Sequence, residues 1–225
     1  MICLYKVSLT KVIFAYQMDI NQLATLIIFI LSISAALVYS YKIYKRAIQP
    51  TLSTWLIFCA ATSMSLGSYL FTPNKQIFAA ALNAADVFTD VLIIFTIIMF
   101  TESRWRLKPF EKYYLFGLIF ISLFWFLTRN ALYANLLVQV MLALAYFPTI
   151  HNILKNKVSH ESFLGWGIIE LSTLISLIPT FYVWQKHGNF LAFVYSARSF
   201  VFIAFLMVLM YMYRPRPVTQ GLTKA

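Results

Sequence analysis

The chain has 225 residues, of which 61% are hydrophobic and only 11% are charged, and its formal net charge is +11. Soluble domains are close to half apolar and a quarter charged, so this composition excludes an ordinary soluble fold and predicts a protein surrounded by lipid. The Lys and Arg residues lie mainly in short gaps between apolar runs, which favours a role in membrane orientation over nucleic-acid binding.

Seven apolar runs follow one another along the chain and predict seven transmembrane helices, since one span needs about 20 mostly apolar residues. The predicted spans are 20–44, 52–71, 77–100, 113–128, 131–154, 163–184 and 190–213. Pro50, Pro73 and Pro109 mark breaks between them. Residues 1–19 form a predicted N-terminal extension, with Met18 as an alternative start and a short interfacial helix as the other interpretation.

The basic residues between the spans predict the orientation of the chain. With seven spans, alternate loops face the same side, and one side carries twelve Lys and Arg residues against five on the other. The richer side is expected to be cytoplasmic. The N-terminus is then outside, and the basic tail 214–225 is in the cytoplasm. The twelve basic residues are Lys42, Lys45, Arg46, Arg104, Arg106, Lys108, Lys112, Lys155, Lys157, Arg214, Arg216 and Lys224.

The chain contains an internal repeat. The segment ALVYSYKIYKRAIQPTLSTWLIF, which begins at Ala36, is similar to ALAYFPTIHNILKNKVSHESFLGW, which begins at Ala143. Chance similarity between two apolar segments is the alternative. A repeat predicts an all-α fold of two three-helix halves, 20–100 and 131–213, with a cytoplasmic loop and a linker helix within 101–130. The linker helix gives both halves the same direction in the membrane.

The second copy of the repeat resembles the SWEET and PQ-loop superfamily. The resemblance rests on a helix end at 146–150 (YFPTI), a basic turn at 155–157 (KNK) and a restart at 161–166 (ESFLGW). Thr149 stands where the name-giving Gln of the family is found, and Tyr41 stands at the proline position of the first copy.

Within this superfamily, the chain is most similar to uncharacterised bacterial seven-helix membrane proteins. That similarity rests on the start of the second span, at Pro50, Thr54, Trp55 and Phe58. The resemblance implies a three-one-three arrangement of helices with a central solute path. The expected location is the cell membrane, as a multi-pass protein of a bacterial inner membrane.

Charged residues inside predicted spans are costly and commonly functional. The candidates for the lining of a solute path are Asn83, Asp86, Asp90, Glu170 and Arg198. Asn83, Asp86 and Asp90 are three and four residues apart and therefore share one helix face. Asp86 and Arg198 lie nine and eight residues into their spans, which predicts an ion pair between the halves. The alternatives are a purely structural pair and, for Asp90 and Glu170, either a proton relay or a neutral acid bonded to Ser or Thr.

Three aromatic residues and one proline form a predicted gate or hinge. Trp55, Phe163 and Trp166 lie near the expected cytoplasmic interface, and Pro148 lies near a helix end. An aromatic belt at the membrane interface and an ordinary helix break are the alternatives.

The resulting prediction is a transporter or facilitator of a small polar solute, with its path between the two halves. The alternative is a non-transporting membrane protein of the same fold, such as a sensor, chaperone or assembly factor. No nucleophile, phosphate-loop or metal-ligand motif is present in the sequence, so neither an enzyme nor a cofactor is expected. The expected partners are the lipid bilayer, the unidentified solute and, as an alternative to a monomer, further copies of the chain.

Overall fold

The computed structural model describes the backbone of residues 2–48, 50, 52–101, 109–159 and 161–214. Of these, the side chains of residues 2–19, 53, 110 and 111 are outside the description. The predicted basic residues at 104, 106, 108, 216 and 224, and the side chains of the predicted N-terminal extension 1–19, therefore lie outside the described residues. Everywhere else the side chains can be placed.

The described chain consists almost entirely of α-helices. The helices are α1 (Ile2–Tyr44), α2 (Leu52–Leu70), α3 (Ala81–Phe100), α4 (Pro109–Thr128), α5 (Ala131–Leu144), α6 (Phe147–Asn156), α7 (Phe163–His187) and α8 (Leu191–Met212). A single 3₁₀ turn, Ile77–Ala80, leads directly into α3. No strand occurs in the part of the chain that the structure describes, so the predicted all-α class is confirmed.

Local capping residues define several helix ends. The Asn130 side chain accepts a hydrogen bond from the Tyr133 amide at the start of α5, and Ser162 accepts one from the Gly165 amide at the start of α7. These bonds satisfy amides that have no partner within the first helical turn. Gly188 ends α7 with φ at +70°, a left-handed conformation that glycine adopts without steric cost.

The predicted span 131–154 is divided in two, at a turn formed by Ala145 and Tyr146. Proline lacks the amide hydrogen that would bond to the carbonyl four residues earlier, so Pro148 cannot continue α5 past Leu144. It instead occupies the first turn of α6, where no such bond is needed. The predicted span is confirmed as the apolar segment Ala131–Asn156, and its internal turn lies beside the proline predicted as a hinge.

The helices pack in a ring made of two sets of helices with the same pattern of contacts. Helix α3 packs against both α1 and α2, and α8 packs in the same way against both α5 and α7. The two sets meet twice, through α1 against α7 and through α2 against α5. Helix α4 packs on the outside, against α5 and α2. Polar atoms link the ring internally, for example Ser32 and Ser172, whose hydroxyl oxygens are 3.3 Å apart between α1 and α7.

The polarity of the molecule is that of a membrane protein. Large apolar side chains such as Leu26, Phe95 and Val201 are exposed, while Ser65 and Ser172 are fully buried. Five segments are long and apolar enough to cross a membrane: Ile20–Tyr44, Ile77–Phe100, Ala131–Asn156, Phe163–His187 and Leu191–Met212. A shorter apolar helix covers Lys112–Thr128. The chain is therefore a multi-pass membrane protein.

Candidate functional site

A cavity lies at the centre of the ring, between α2 and α3 on one side and α5, α7 and α8 on the other. It has about 50 Å³ of space open to the centres of water molecules. One water needs roughly 10–15 Å³ by this measure, so the cavity has room for a few waters or a small solute. Its polar lining is formed by Thr62, Asp86, Thr89, Asp90, Tyr195, Arg198 and Ser199. Three of the five predicted path residues thus share one cavity.

Asp86 and Arg198 are linked through Tyr195. The Tyr195 hydroxyl donates a hydrogen bond of 2.6 Å to Asp86 Oδ2. The guanidinium carbon of Arg198 lies 5.0 Å from the centre of the same tyrosine ring, which is a cation–π geometry. The predicted direct ion pair is not formed between these two residues, because the guanidinium turns towards Gln139 and Ser199 instead. The charges still face one cavity and interact electrostatically across it.

Arg198 is held in place by a polar network that extends across the ring. Its Nε donates to Gln139 Oε1 at 3.1 Å, and its Nη2 donates to Ser199 Oγ at 2.8 Å. Gln139 Nε2 in turn donates to Ser65 Oγ at 2.9 Å. Asn83 is hydrogen-bonded to the same Ser65 hydroxyl at 3.0 Å. The guanidinium on α8 is therefore fixed by side chains on α5 and α2.

Asn83 lines a smaller void beside the cavity rather than the cavity itself. Tyr195 forms part of the wall of both, and the void is also lined by Asn135 and Tyr69. Asn135 Nδ2 donates to Ser68 Oγ at 2.8 Å and to the Ser65 carbonyl at 2.9 Å. Asn83 is therefore connected to the cavity in two ways. Its hydrogen-bond partner Ser65 also binds Gln139, and Tyr195 lines both the void and the cavity.

Asp90 lies one helical turn after Asp86 on α3 and contacts Thr62. Its side chain is 5% exposed, and its Oδ2 is 2.9 Å from Thr62 Oγ1. Asp86 and Asp90 both line the cavity, as expected for residues four apart on one helix face. Glu170 does not join them: it is absent from the cavity wall, and its buried Oε2 has no hydrogen-bond partner among the described residues.

Aromatic rings lie together in one part of the cavity wall. Trp55, Phe58, Tyr146 and Trp166 all line the cavity, and the ring centres of Phe58 on α2 and Tyr146 in the turn after α5 lie 5.4 Å apart. Of the predicted gate residues, Trp55 and Trp166 therefore reach the cavity. Phe163 does not; it is 47% exposed on the outer surface of α7.

Hydrogen bonds among Tyr39, Glu161 and Trp166, which together form the clasp, join α1 to the start of α7. The Tyr39 hydroxyl donates to Glu161 Oε2 at 2.5 Å, and Trp166 Nε1 donates to the same oxygen at 3.3 Å. The Tyr39 ring contacts the Trp55 ring edge-on, with centres 5.1 Å apart. The fit is tight, because a Cβ added at Gly165 would lie only 3.2 Å from Tyr39 Cδ2.

No known protein family matches the chain, and no curated protein is significantly similar to it.

Several residues of the site were not predicted from the sequence. Asn135 and Gln139 are four residues apart on an apolar helix, a spacing that could have shown a polar face. Tyr195 is three residues before Arg198, which could have placed it on the same face of α8. Glu161 was noted only as part of the segment 161–166, and no contact was predicted for it, since an acidic residue in a loop is ordinarily solvated.

The chemistry of the cavity is that of binding. It offers two carboxyl groups, one guanidinium and several hydroxyls, together with aromatic side chains in its wall. No group of three or more His, Cys, Asp or Glu side chains that could hold a metal ion occurs in the described part of the chain. Charges of both signs in a small enclosed space can bind a solute that itself carries complementary polar groups.

Proposed function

We propose that this protein is a membrane transporter or facilitator of a small polar solute. The observation that carries the proposal is the central cavity, which has charges of both signs and is lined by helices from both sides of the ring. Ionisable side chains at membrane depth characteristically line substrate or ion pathways. A purely structural ion pair needs no cavity, whereas Asp86 and Arg198 face one without touching each other.

The solute path would run between two halves of three spans each, α1–α3 and α5–α8, in which α5 and α6 together form one span and α4 is the linker. In support, the third helix of each half packs between the other two, and the halves meet through two reciprocal contacts, α1 with α7 and α2 with α5. Such packing fits an approximate twofold axis along the membrane normal, a symmetry that permits transport by rocking of the halves. Membership of the SWEET and PQ-loop superfamily is part of the same proposal.

The clasped aromatic end of the cavity would face the cytoplasm, with the N-terminus outside. Lys42, Lys45, Lys155 and Lys157 lie next to this end in the chain and are all in exposed or half-exposed positions. An excess of Lys and Arg marks cytoplasmic loops. On this assignment, the aromatic residues at that end would form the cytoplasmic gate.

The charges favour a polar or zwitterionic solute over a plain sugar. Arg198 Nη1 is buried and forms no hydrogen bond of good geometry within the described residues, although the Tyr146 hydroxyl lies near the guanidinium, so Nη1 can donate to an acceptor on the solute. Asp86 offers a carboxylate on the opposite side of Tyr195. A solute with both a positive and a negative group would meet both charges at once.

Uptake into proteoliposomes tests this function. We expect one class in a panel of amino acids, sugars, vitamins and nucleosides to be taken up by the wild type. Asp86→Asn should lower that uptake by roughly tenfold or more, since one hydrogen bond to a charged group contributes about 1.5–3 kcal/mol and tenfold corresponds to 1.4 kcal/mol.

Glu170→Gln is the matched control, because Glu170 is also an intramembrane carboxyl but does not line the cavity. It should leave uptake close to the wild-type rate. Failure of the folded wild type to take up any compound of the panel would contradict transport and favour a sensor, chaperone or assembly factor.

A further inference from the structure

The cavity contains more acidic groups than basic ones. Among the described residues that line it, Asp86 and Asp90 are carboxyl groups and Arg198 is the single guanidinium. The remaining titratable groups that interact with Asp90 are Cys59, Tyr146 and Tyr195, which add no positive charge. With both carboxyls ionised, the buried site would hold one uncompensated negative charge, which is strongly unfavourable in a low-dielectric interior.

The contacts of Thr62 give Asp90 surroundings in which a neutral carboxyl can be hydrogen-bonded. Thr62 Oγ1 lies 2.9 Å from the Phe58 carbonyl oxygen, 3.1 Å from the Cys59 carbonyl oxygen and 2.9 Å from Asp90 Oδ2. A hydroxyl has one hydrogen to donate but can accept as well. If that hydrogen goes to a helix carbonyl, the bond to Asp90 exists only when Asp90 supplies the proton. A protonated Asp90 therefore satisfies both contacts.

Asp86 is in the opposite situation. The Tyr195 hydroxyl lies 2.6 Å from Asp86 Oδ2 and has no competing carbonyl acceptor among the described residues, so it can donate its hydrogen to an Asp86 carboxylate. Arg198 faces the same cavity and balances the charge of Asp86. The two acids of α3 thus have separate environments, one suited to a carboxylate and the other to a carboxylic acid.

We propose that Asp90 is a proton-binding site of the cavity, which carries a proton in this structure and exchanges it with cavity water. On release, the O–H bond of the carboxyl breaks, the proton passes to a water molecule, and the electron pair stays on the carboxylate. The Thr62 hydroxyl then rotates to donate to that carboxylate. The site itself does not depend on the proposed transport, but a link between the proton and solute movement rests on that function.

Infrared spectroscopy of the full chain in lipid, at neutral pH and without solute, tests the site. The carboxylic-acid C=O stretch is seen only for a protonated carboxyl. We expect Asp90→Asn to remove one such band that Asp86→Asn retains. Asparagine resembles a neutral carboxylic acid in shape and charge, so the variant should fold.

Thr62→Val provides a second, independent measurement. It keeps the size of the side chain but removes the hydroxyl that lies 2.9 Å from Asp90 Oδ2 and that accepts the Asp90 proton in the proposed state. We expect the Asp90 band to move to higher frequency, because its O–H loses a hydrogen bond. Identical carboxylic-acid spectra for the wild type and Asp90→Asn would overturn the proposal. The infrared band is measured without solute, so it tests the proton site independently of transport. A negative uptake assay would count against transport alone.

Discussion

Arg198→Ala is expected to lower the free energy of unfolding by about 3 kcal/mol and to abolish solute uptake. The variant loses two charge-assisted hydrogen bonds, to Gln139 and to Ser199, and leaves Gln139 Oε1 without its donor. It also leaves the Asp86 carboxylate in the cavity without a counter-charge, which is the larger effect in a buried site. Denaturant unfolding in bicelles measures the loss of stability, and the proteoliposome assay measures uptake.

A double variant separates the charge from the packing. Asp86→Asn combined with Arg198→Ala removes both charges, so we expect it to be more stable than the sum of the single effects predicts, by about 1 kcal/mol or more. Strict additivity of the two substitutions, or an Arg198→Ala protein as stable as the wild type, would show that the two charges do not interact through the cavity.

Tyr39→Phe is expected to lower the free energy of unfolding by about 1.5–3 kcal/mol, because it removes the hydroxyl that donates to the Glu161 carboxylate. The ring stays, so its edge contact with Trp55 is preserved. The clasp then no longer joins α1 to the start of α7, and we expect the aromatic end of the cavity to open more often. The measurements are unfolding in bicelles and the rate of solute exchange.

Tyr41→Phe is the matched control for the clasp. Tyr41 is two residues away on the same helix but is 61% exposed, so removal of its hydroxyl should change stability by less than about 0.5 kcal/mol. Glu161→Gln should reproduce the effect of Tyr39→Phe in a weaker form, since an amide oxygen still accepts the bond without its charge. Equal stability of Tyr39→Phe and Tyr41→Phe would contradict the clasp.

The helices and the charged cavity could be predicted because strong physical constraints leave direct traces in the sequence. Apolar runs must be about as long as the bilayer is thick, so the apolar segments Ile20–Tyr44, Ile77–Phe100 and Leu191–Met212 lie within about one residue of their predicted bounds. A charge at membrane depth avoids lipid, so Asp86, Asp90 and Arg198 were expected in one interior, where the structure places them.

The exact partners could not be predicted because they depend on rotamers and helix rotation. Similar depth made an Asp86–Arg198 ion pair reasonable, but depth does not show that Tyr195 occupies the space between them. Glu170 is also at membrane depth, yet the rotation of α7 directs Ile169 rather than its neighbour to the cavity. Contacts between distant segments, such as Tyr39 with Glu161, leave no periodic pattern.

Cysteine accessibility tests most directly whether the cavity is a path through the membrane. In a Cys3→Ser, Cys59→Ser background, Thr89→Cys places a thiol in the cavity wall, and Phe88→Cys places one on the 52% exposed outer face of the same helix. A membrane-impermeant thiol reagent needs water to react, because the thiolate is the nucleophile. We predict that Thr89→Cys is labelled when the reagent is added on either side of oriented vesicles, whereas Phe88→Cys is labelled from neither. A folded Thr89→Cys protein that resists the reagent from both sides would contradict a solute path between the halves.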